Sequence, residues 1–559
     1  MMLNLGARVD AAEDPVSRNR SRSASSMAGL FAPLSHLLGC GGDTRLNVDP
    51  ASGLNEYGCG RLPCPDTLSF SSSTATSISE RAYDRAERAR EALMRSAISD
   101  GLEAAFDARV EAMRDELKAS LGLSQGQAQG QAQGQADVVF SPSGTDAQLQ
   151  ALFLTRVLLS GPLLTTIVMA ADQTGSGTEH TARGHHFNAA TANGNQVGKG
   201  EPVAGLAHSV SNISIGLLDA RGGFRADDEI DSLVLDAVEK SVADGSDVLL
   251  QIMDSSKLGW RAPSDRCLDE ILLRWPDQVR IVVDACQMRL GRQRLRAYLE
   301  RGYMVIVTGS KFFTGPAFSG ALLVPASLSG AINAVTDIPS GLRDYCSRSD
   351  WPSHWENLRS RFPVRENFGQ WLRWEAALEE IRTYYHVPDE FRRSALTMFG
   401  QGVKDIIASS PSLRLLPLQQ RPEGAQIADE ELGQPTIFPF VIRHRDRILS
   451  LTDCRKIYRA LARDARDVAS AASRDQEIAG RLCLVGQPVA LGRSSENPVA
   501  ALRISACARL VTEAWSPDED AALKNMQHRL ADAATIVSKI EWLLMHMDDL
   551  NSAEARHGA

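Results

Sequence analysis

The fold is decided by the stretch from Val279 to Pro316, which reads VRIVVDACQMRLGRQRLRAYLERGYMVIVTGSKFFTGP. It holds an apolar run at 279–283, a helical pattern at 291–301 and a second apolar run at 304–307. Strands that alternate with helices indicate βαβ units and a mainly parallel sheet covered on both faces. Polar residues follow both runs, at the carboxyl edge of the sheet, where open α/β folds bind ligands.

The same alternation extends outward from this stretch. Short apolar runs predict further strands at Val138–Phe140, Thr165–Ala170, Val248–Met253 and Gly320–Val324. After Asn367 a helical pattern leads out of the sheet domain. We therefore predict an α/β protein with a large, mainly parallel-sheet domain at 137–388 and a smaller α+β C-terminal domain at 389–550.

The residues before residue 137 divide into three predicted parts. Residues 1–45 have no periodic apolar pattern and are predicted to form a disordered tail. Residues 46–123 are predicted to supply an N-terminal segment and the helices of the small domain and active-site mouth, with one long helical segment at 79–121. The Gln/Gly repeat at 124–136 has nothing to bury and is predicted to be a flexible linker.

Composition excludes several classes of function. The chain has 559 residues and a net charge of -9, so it lacks the basic surface that nucleic-acid binding needs, and we expect no nucleic-acid partner. Nine cysteines without CxxC pairs argue against a zinc site, and we expect no metal. The longest apolar stretch is interrupted by Arg156 and by Ser160-Gly161-Pro162, so no membrane span is expected either. A reducing cytoplasm fits this cysteine usage.

A strand, a glycine turn and a helix follow one another in the segment Phe140–Ala147, FSPSGTDA. The turn and helix start comprise Ser143, Gly144, Thr145 and Asp146. Free N–H groups, a hydroxyl and a glycine that permits close approach can hold a phosphate there. An ordinary helix N-cap would use the same residue types.

Asp284 and Lys311 each follow one of the two apolar runs of the opening stretch. A carboxylate at a strand end can keep a pyridine nitrogen protonated, although a helix cap or salt bridge would also place one there. A lysine among small and aromatic residues can serve as an amine nucleophile, although a solvated loop lysine is the alternative. The two residues are 27 positions apart, enough for a strand, a helix and a strand. Both side chains can therefore lie over one crevice.

These segments together resemble the fold-type-I pyridoxal-phosphate enzymes, specifically the class V aminotransferase and cysteine desulfurase superfamily. Ser143-Gly144-Thr145-Asp146 resembles the family's phosphate-binding turn, Asp284-Ala285-Cys286-Gln287 its D-A-x-Q segment, and Thr308-Gly309-Ser310-Lys311 its S-G-H-K block. The resemblance covers roughly residues 138–325 and recurs near Arg503. It implies pyridoxal 5'-phosphate as cofactor.

The resemblance also implies roles for individual residues. Lys311 would hold the cofactor aldehyde as a Schiff base, Asp284 would pair with the pyridine nitrogen, and Gln287 would reach the phenolic oxygen. Thr308 and Ser310 would bind the phosphate.

Four further residues follow from the same resemblance. His180, in Thr178-Glu179-His180, would stack on the cofactor ring, with His185 and His186 as alternatives. Ser256 stands where the family usually has an asparagine that contacts the cofactor. Arg503, in Leu502-Arg503-Ile504-Ser505, would bind the substrate carboxylate. Arg361 of a neighbouring subunit would complete the phosphate site, which implies a homodimer with shared active sites.

We therefore predict a cytoplasmic enzyme acting on an amino acid or amino-acid-like metabolite, by aminotransferase or lyase chemistry. Desulfurase or selenocysteine-lyase-like sulfur chemistry is an alternative, disfavoured because the later cysteines do not lie on a Ser/Gly-rich loop. A non-catalytic binding protein on the same scaffold is another. A nucleotide-binding oxidoreductase would need GxGxxG after the first strand, which is absent. The turn-rich residues 53–74 are predicted either to cover the active-site mouth or to anchor the fold.

Overall fold

The computed structural model describes residues 27–124, 136–175, 177–419, 431–466, 473–492 and 497–547. Its strands are β1 (Leu68–Phe70), β2 (Ala136–Ser141), β3 (Leu164–Met169), β4 (Val210–Ile215), β5 (Asp247–Met253), β6 (Val279–Asp284), β7 (Met304–Thr308), β8 (Gly320–Pro325), β9 (Leu413–Leu415), β10 (Ile437–His444), β11 (Arg447–Ile448), β12 (Cys483–Ala490) and β13 (Ala500–Ser505).

Its α-helices are α1 (Leu34–Leu37), α2 (Glu80–Asp100), α3 (Leu102–Ser120), α4 (Gly144–Leu158), α5 (Thr178–Thr181), α6 (Asp227–Ala243), α7 (Asp265–Arg274), α8 (Arg292–Glu300), α9 (Ser329–Asn333), α10 (Glu356–Arg359), α11 (Phe368–His386), α12 (Asp389–Ser409), α13 (Leu451–Leu461), α14 (Ser473–Gly480), α15 (Ala508–Ala514) and α16 (Glu519–Met545).

The large sheet has seven strands in the order β2-β8-β7-β6-β5-β3-β4. All neighbours are parallel except β8, which runs antiparallel to both β2 and β7. Strands β2, β3, β7 and β8 are buried along their whole length, as expected when helices cover both faces. The predicted fold class is confirmed, and every predicted strand is present. The sequence did not reveal β4, because this edge strand is half exposed and mixes polar with apolar residues.

Three parallel neighbours, β5, β6 and β7, position the candidate site. Their register pairs Met253 with Asp284 and Asp284 with Ile306. The carboxyl ends of all three strands therefore meet at one edge of the sheet, beside the start of α4. Side chains that follow these strands share that edge, as the sequence predicted for Asp284 and Lys311.

The second sheet has the path β1-β12-β13-β10-β11, with β9 also paired to β10. Five of its strands come from the predicted C-terminal domain. The sixth, β1, comes from the N-terminal segment and lies parallel to β12. The N-terminal segment thus runs from the small sheet to the large one, and it covers the crevice between them.

The N-terminal part of the chain differs from the prediction at residues 27–45. Residues 27–45, predicted as disordered, fold against the molecule: Leu30, Leu34 and Leu37 are buried, and the buried Arg373 of α11 donates hydrogen bonds to backbone carbonyls at 38–41. Short turns of apolar residues gave no long periodic signal. Residues 1–26 and most of the predicted linker, 125–135, lie outside the described residues.

The predicted long helix at 79–121 is two helices, α2 and α3. The break is at Gly101, whose φ of +80° is a left-handed conformation that residues other than glycine rarely adopt. Both helices pack against α11, where Arg85 and Arg109 pair with the buried Glu375. Within the described ranges, no helix is both long and apolar enough to cross a membrane.

Candidate active site

A cavity of about 390 Å³ lies where the large sheet, the small sheet and the N-terminal segment meet. Its wall includes most of the residues predicted to carry chemistry: Ser143, Gly144, Thr145, Asp284, Gln287, Thr308, Ser310 and Lys311. The volume falls within the range of roughly 300–1,000 Å³ typical of small-molecule sites. Residues far apart in the sequence thus form one concave site.

The phosphate-binding turn is a capped helix start. Ser143 is the N-cap of α4: its Oγ accepts a hydrogen bond from the Asp146 N–H at 3.3 Å and donates one to Asp146 Oδ2 at 2.5 Å. The N–H groups of Gly144 and Thr145 have no acceptor within the helix because they belong to its first turn. The turn is therefore an N-cap, and it also presents free donors to the cavity.

Gly144 permits a close approach at this turn. A Cβ atom at position 144 would lie 2.4 Å from Cys286 Sγ, which is too short for non-bonded atoms. We expect Gly144→Ala to displace the turn and to weaken pyridoxal-phosphate binding by about tenfold, because overpacking typically costs 1–3 kcal/mol. Fluorescence titration of the apoenzyme with the cofactor measures this affinity.

The matched control for this change is the double variant Gly144→Ala/Cys286→Ala. Without the sulfur, the nearest atoms to the new methyl group would be Thr308 Cγ2 at 3.4 Å and Cys286 Cβ at 3.8 Å, which are ordinary contacts. The double variant should recover most of the affinity. If Gly144→Ala alone binds the cofactor as the wild type does, the turn does not approach the phosphate closely.

Asp146 does not line the cavity, but its charge is close to the phosphate-binding turn. Burial and the neighbouring Asp43 carboxylate raise the pKa of Asp146 to about 7, although Ser143 and Arg45 oppose the shift. The carboxyl group is therefore neutral below that pH and negative above it. Since the folded-state pKa is raised, Asp146 favours folding at low pH, and this contribution is lost as the pH rises toward about 7.

We expect the affinity for the cofactor phosphate to fall as the pH rises from 6 to 8, by about tenfold, because an Asp146 carboxylate would repel it. Asp146→Asn should flatten this dependence, since the amide can still accept the Ser143 hydrogen bond. The exposed Asp277→Asn change is the control and should leave the wild-type pH profile intact. An equal slope in Asp146→Asn and the wild type would assign the dependence to other groups.

Arg45 was not predicted as a site residue, yet it lines the cavity beside the phosphate-binding turn. Its guanidinium donates to Ser143 Oγ at 3.1 Å and to Thr145 Oγ1 at 3.4 Å, and it pairs with Asp43 at 2.6 Å. An arginine here offers the planar fork of donors that phosphate favours. Arg45 ends the segment predicted to be a disordered tail, where no periodic apolar pattern marks a site.

Asp284 and Lys311 reach the cavity from neighbouring strands. Asp284 ends β6, is 6% exposed, and accepts a hydrogen bond from the Cys286 N–H at 3.1 Å. Lys311 follows β7 by three residues and is half-buried, and its amine has no hydrogen-bond or ion-pair partner among the described residues. A buried carboxylate and an unpartnered amine thus face the same space.

Gln287, Thr308 and Ser310 also line the cavity, and their surroundings differ. Gln287 Nε2 donates to the Ser73 carbonyl at 3.0 Å, which ties it to the N-terminal segment. Thr308 Oγ1 donates to the Cys286 carbonyl at 2.7 Å, so the hydroxyl hydrogen is used and only the lone pairs of the oxygen remain to accept hydrogen bonds. Ser310 is buried and follows the end of β7 by two residues.

Ser256 is buried but does not line the cavity. Its hydroxyl donates to Gln173 Oε1 at 2.6 Å and accepts the N–H groups of Leu258 and Trp260, so it organises the turn after β5. The adjacent Gln173 does line the cavity, and its buried Nε2 has no hydrogen-bond partner within the described ranges. Gln173 is thus a donor in need of an acceptor that sequence reasoning missed.

None of the three histidines considered for ring stacking lines the cavity. His180 is half-buried beside Gly200, and burial lowers its pKa. His185 Nδ1 lies 2.7 Å from the Gly200 carbonyl, and His186 Nδ1 lies 2.7 Å from the Tyr345 hydroxyl. The short helix α5 turns Thr178, rather than His180, toward the cavity.

Arg503 lies directly behind the cavity wall, on β13. It is 0% exposed and donates to Ser73 Oγ, Thr74 Oγ1 and the Gln487 carbonyl, at 3.2, 2.8 and 2.6 Å. All three acceptor residues line the cavity. Within the described ranges no carboxylate pairs with it, and burial lowers its pKa to about 10. A buried cation held only by neutral groups is costly unless an anion joins it.

Arg361 is exposed and does not line the cavity of its own chain. It follows α10, where Leu358 and the preceding Trp355 are buried in the same apolar cluster as Leu149 and Leu152 of α4. Its assignment to the phosphate site of a neighbouring subunit stays a prediction.

Lys257 is a second lysine in the cavity that sequence reasoning passed over. It is half-buried in the turn that Ser256 organises, and its amine has no hydrogen-bond or ion-pair acceptor among the described residues. Burial, together with the positive charges of Arg503 and Lys311, lowers its pKa to about 7. The one sequence feature that could have indicated a site is the position of Lys257 in a short turn between the end of β5 and Gly259.

The residues present fit pyridoxal 5'-phosphate. The α4 N-terminus, Ser310 and Arg45 offer donors for a phosphate, and Asp284 offers a carboxylate for a pyridinium nitrogen. Among the residues that the structure describes, nothing accepts a hydrogen bond from the buried Gln173 Nε2, which suits the phenolic oxygen, or pairs with the Lys311 amine, which suits the aldehyde. Each group of the cofactor therefore has a complementary side chain in one cavity.

No protein-family model and no curated protein sequence matches the chain. Solved structures that match include C-DES, a cystine C-S lyase in complex with its product cysteine persulfide, at 13% identity and a TM-score of 0.46, covering 84% of this chain and 98% of that one. They also include a NifS-like protein, at 14% identity and a TM-score of 0.45, covering 84% and 98%. A third is the cysteine desulfurase CsdA from Escherichia coli, at 14% identity and a TM-score of 0.44, covering 83% and 95%.

Proposed function

We propose that the protein is a pyridoxal-phosphate-dependent enzyme that acts on an amino acid or an amino-acid-like metabolite. The observation that carries the proposal is the common cavity of Asp284, Lys311 and the α4 N-terminus. An acid, an amine and a phosphate-binding turn have no shared structural purpose, since each is left without a full set of partners. A phosphorylated aromatic aldehyde would satisfy all three.

When bound, the cofactor supplies an electron sink for cleavage of a bond at the substrate's alpha carbon. The chain's own residues supply the rest. The α4 N-terminus and Arg45 would bind the phosphate, Asp284 would hold a proton at the ring nitrogen, and Gln173 and Gln287 would orient the ring. The Lys311 amine would move a proton at the alpha carbon as general acid and base.

Arg503 is the proposed carboxylate-binding residue of the substrate site. Its guanidinium already contacts three residues of the cavity wall, and it lacks a carboxylate partner among the described residues. A substrate carboxylate would supply the missing negative charge in a planar, two-point contact. An alpha-amino acid presents this carboxylate next to an amine, the group that would take the place of the Lys311 amine at the cofactor aldehyde.

Within this class, we propose aminotransferase or lyase chemistry rather than sulfur transfer through a protein persulfide. All nine cysteines lie in described parts of the chain, and Cys286 alone lines the cavity. Burial and the Asp284 carboxylate raise the pKa of the Cys286 thiol well above its ordinary value. A thiol that stays protonated is a poor sulfur acceptor.

A homodimer in the cytoplasm, with Arg361 of the partner subunit at the phosphate, remains part of the proposal. Arg45 supplies a guanidinium to the same turn within one chain, so the site does not depend on the partner for a phosphate-binding arginine. Any role of Arg361 would therefore add to that of Arg45.

Absorbance spectroscopy and mass spectrometry test the proposal together. The protein is reconstituted with pyridoxal phosphate, and its visible absorbance is recorded before and after borohydride, which reduces a lysine-cofactor imine irreversibly. Proteolysis then locates the reduced adduct, expected on the peptide that contains Lys311 and not on that of Lys257. Absence of both the band and the adduct would favour a non-catalytic binding protein.

A further inference from the structure

We propose that Lys257 determines substrate specificity by binding a second negatively charged group, so that the substrate is an amino acid with an anionic side chain. The inference rests on the proposed function and deepens it. It concerns a residue to which the resemblance to class V enzymes assigns no role.

Hydrogen bonds fix the position of the turn that carries Lys257. Ser256 Oγ accepts the N–H groups of Leu258 and Trp260 and donates to Gln173, which holds the turn on both sides of the lysine. The side chain lines the cavity instead of reaching solvent over the surface. A surface lysine would not need a turn with this many hydrogen bonds.

The charge around Lys257 is unbalanced. Arg503 and Lys311 add positive charge near it, while Asp284 and Asp172 are the acids that face it. Neither acid pairs with the ammonium: Asp284 accepts the Cys286 N–H, and Asp172 accepts the Leu217 N–H. The lysine therefore lies near two other cations, and none of the described carboxylates pairs with it.

Such an arrangement costs free energy in the ligand-free protein. Burial and the two neighbouring cations lower the pKa of Lys257 to about 7, so the charged form is disfavoured. A structural lysine at this position would be less costly if it were replaced by an apolar residue. A dianionic substrate would pair one anion with Arg503 and the other with Lys257, and both cations would then be balanced.

The test compares succinate with butyrate, two four-carbon acids that differ by one carboxylate and have no amine to react. Calorimetric titration into the cofactor-saturated protein gives both dissociation constants. We expect the wild type to bind succinate about tenfold tighter or more, as a hydrogen bond between charged groups implies. Lys257→Met should remove this preference and change butyrate binding little, and Lys257→Gln provides a second variant should the first fold poorly.

Two controls locate the effect. Lys240→Met changes an exposed lysine of α6 and should keep the preference for succinate. Arg455→Gln changes the exposed arginine at the cavity mouth; if this variant loses the preference and Lys257→Met keeps it, the second anion binds at the mouth and the proposal is overturned. A wild type that binds succinate and butyrate equally would also overturn it.

The pH dependence gives an independent readout. Succinate affinity should fall as the pH rises through about 7, where Lys257 loses its proton in the free protein, and Lys257→Met should lack that fall. Failure of the enzyme proposal is distinguishable, because it appears as a missing borohydride adduct while these titrations need no reaction. A pH-independent succinate affinity in the wild type would contradict the role of Lys257.

Discussion

Lys311→Ala is expected to abolish covalent attachment of the cofactor and to slow turnover by at least about a thousandfold, through loss of both nucleophile and proton-transfer group. The reason is geometric as well as chemical. Lys311 follows β7 by three residues, and β7 pairs with β6, which ends at Asp284. The amine thus extends over the same strand ends as the acid proposed to hold the ring nitrogen.

The informative comparison is Lys257→Met, because the cavity contains two lysines that pair with no acid in the described part of the chain. Borohydride treatment followed by peptide mapping should label the Lys257→Met protein at Lys311 and leave the Lys311→Ala protein unlabelled. Neither change should lower the thermal unfolding temperature, since neither amine makes a hydrogen bond to the described residues, and Lys257→Met should raise it because it removes the cost of burying the ammonium. If the Lys311→Ala protein is labelled at Lys257, then Lys257 is the attachment site.

Asp284→Asn is expected to lower the rate of the chemical step by about a hundredfold or more while the cofactor still binds. The amide is close in size to the carboxyl group, and its oxygen can still accept the Cys286 N–H hydrogen bond. Only the negative charge is lost. Without it, no group at the end of β6 holds the ring nitrogen in its protonated form.

Stopped-flow absorbance measures this effect as the rate of spectral change on mixing with an amino acid to which the wild type responds. Cofactor affinity and thermal unfolding serve as controls, and both should stay near the wild-type values. A wild-type rate in the Asp284→Asn protein would show that the carboxylate does not act on the ring. It would then be a structural acceptor for the Cys286 N–H alone.

The sequence correctly predicted structural features that depend on residues close together along the chain. The apolar runs of β5, β6 and β7 are nearly uniform because both sheet faces are covered, and each run ends in a polar group at a known edge. The order of phosphate turn, acid and amine along the chain followed from the same pattern. Resemblance to a family then assigned roles to Asp284 and Lys311 that propensity could not provide.

The sequence did not correctly predict which residues far apart along the chain meet at the cavity. Arg45 donates to Ser143 from a segment with no periodic pattern. The Ser256 hydroxyl donates to Gln173 Oε1, which leaves the Gln173 Nε2 donor without a partner among the described residues. The T-E-H motif is present, but α5 directs Thr178 to the cavity and leaves His180 aside. A motif specifies residue types, whereas the rotation of a short helix depends on what it packs against.

The sequence by itself determined the α/β architecture and the strand ends that carry Asp284 and Lys311, because alternation of apolar runs and helices follows from local hydrophobic pattern. The tertiary structure alone decided which side chains share the cavity. Lys257, Arg45 and Arg503 became neighbours of Lys311 only when two sheets and the N-terminal segment closed around one crevice. Charge balance in a buried site depends on such distant neighbours, since electrostatic cost is set by surroundings in space and not by order along the chain.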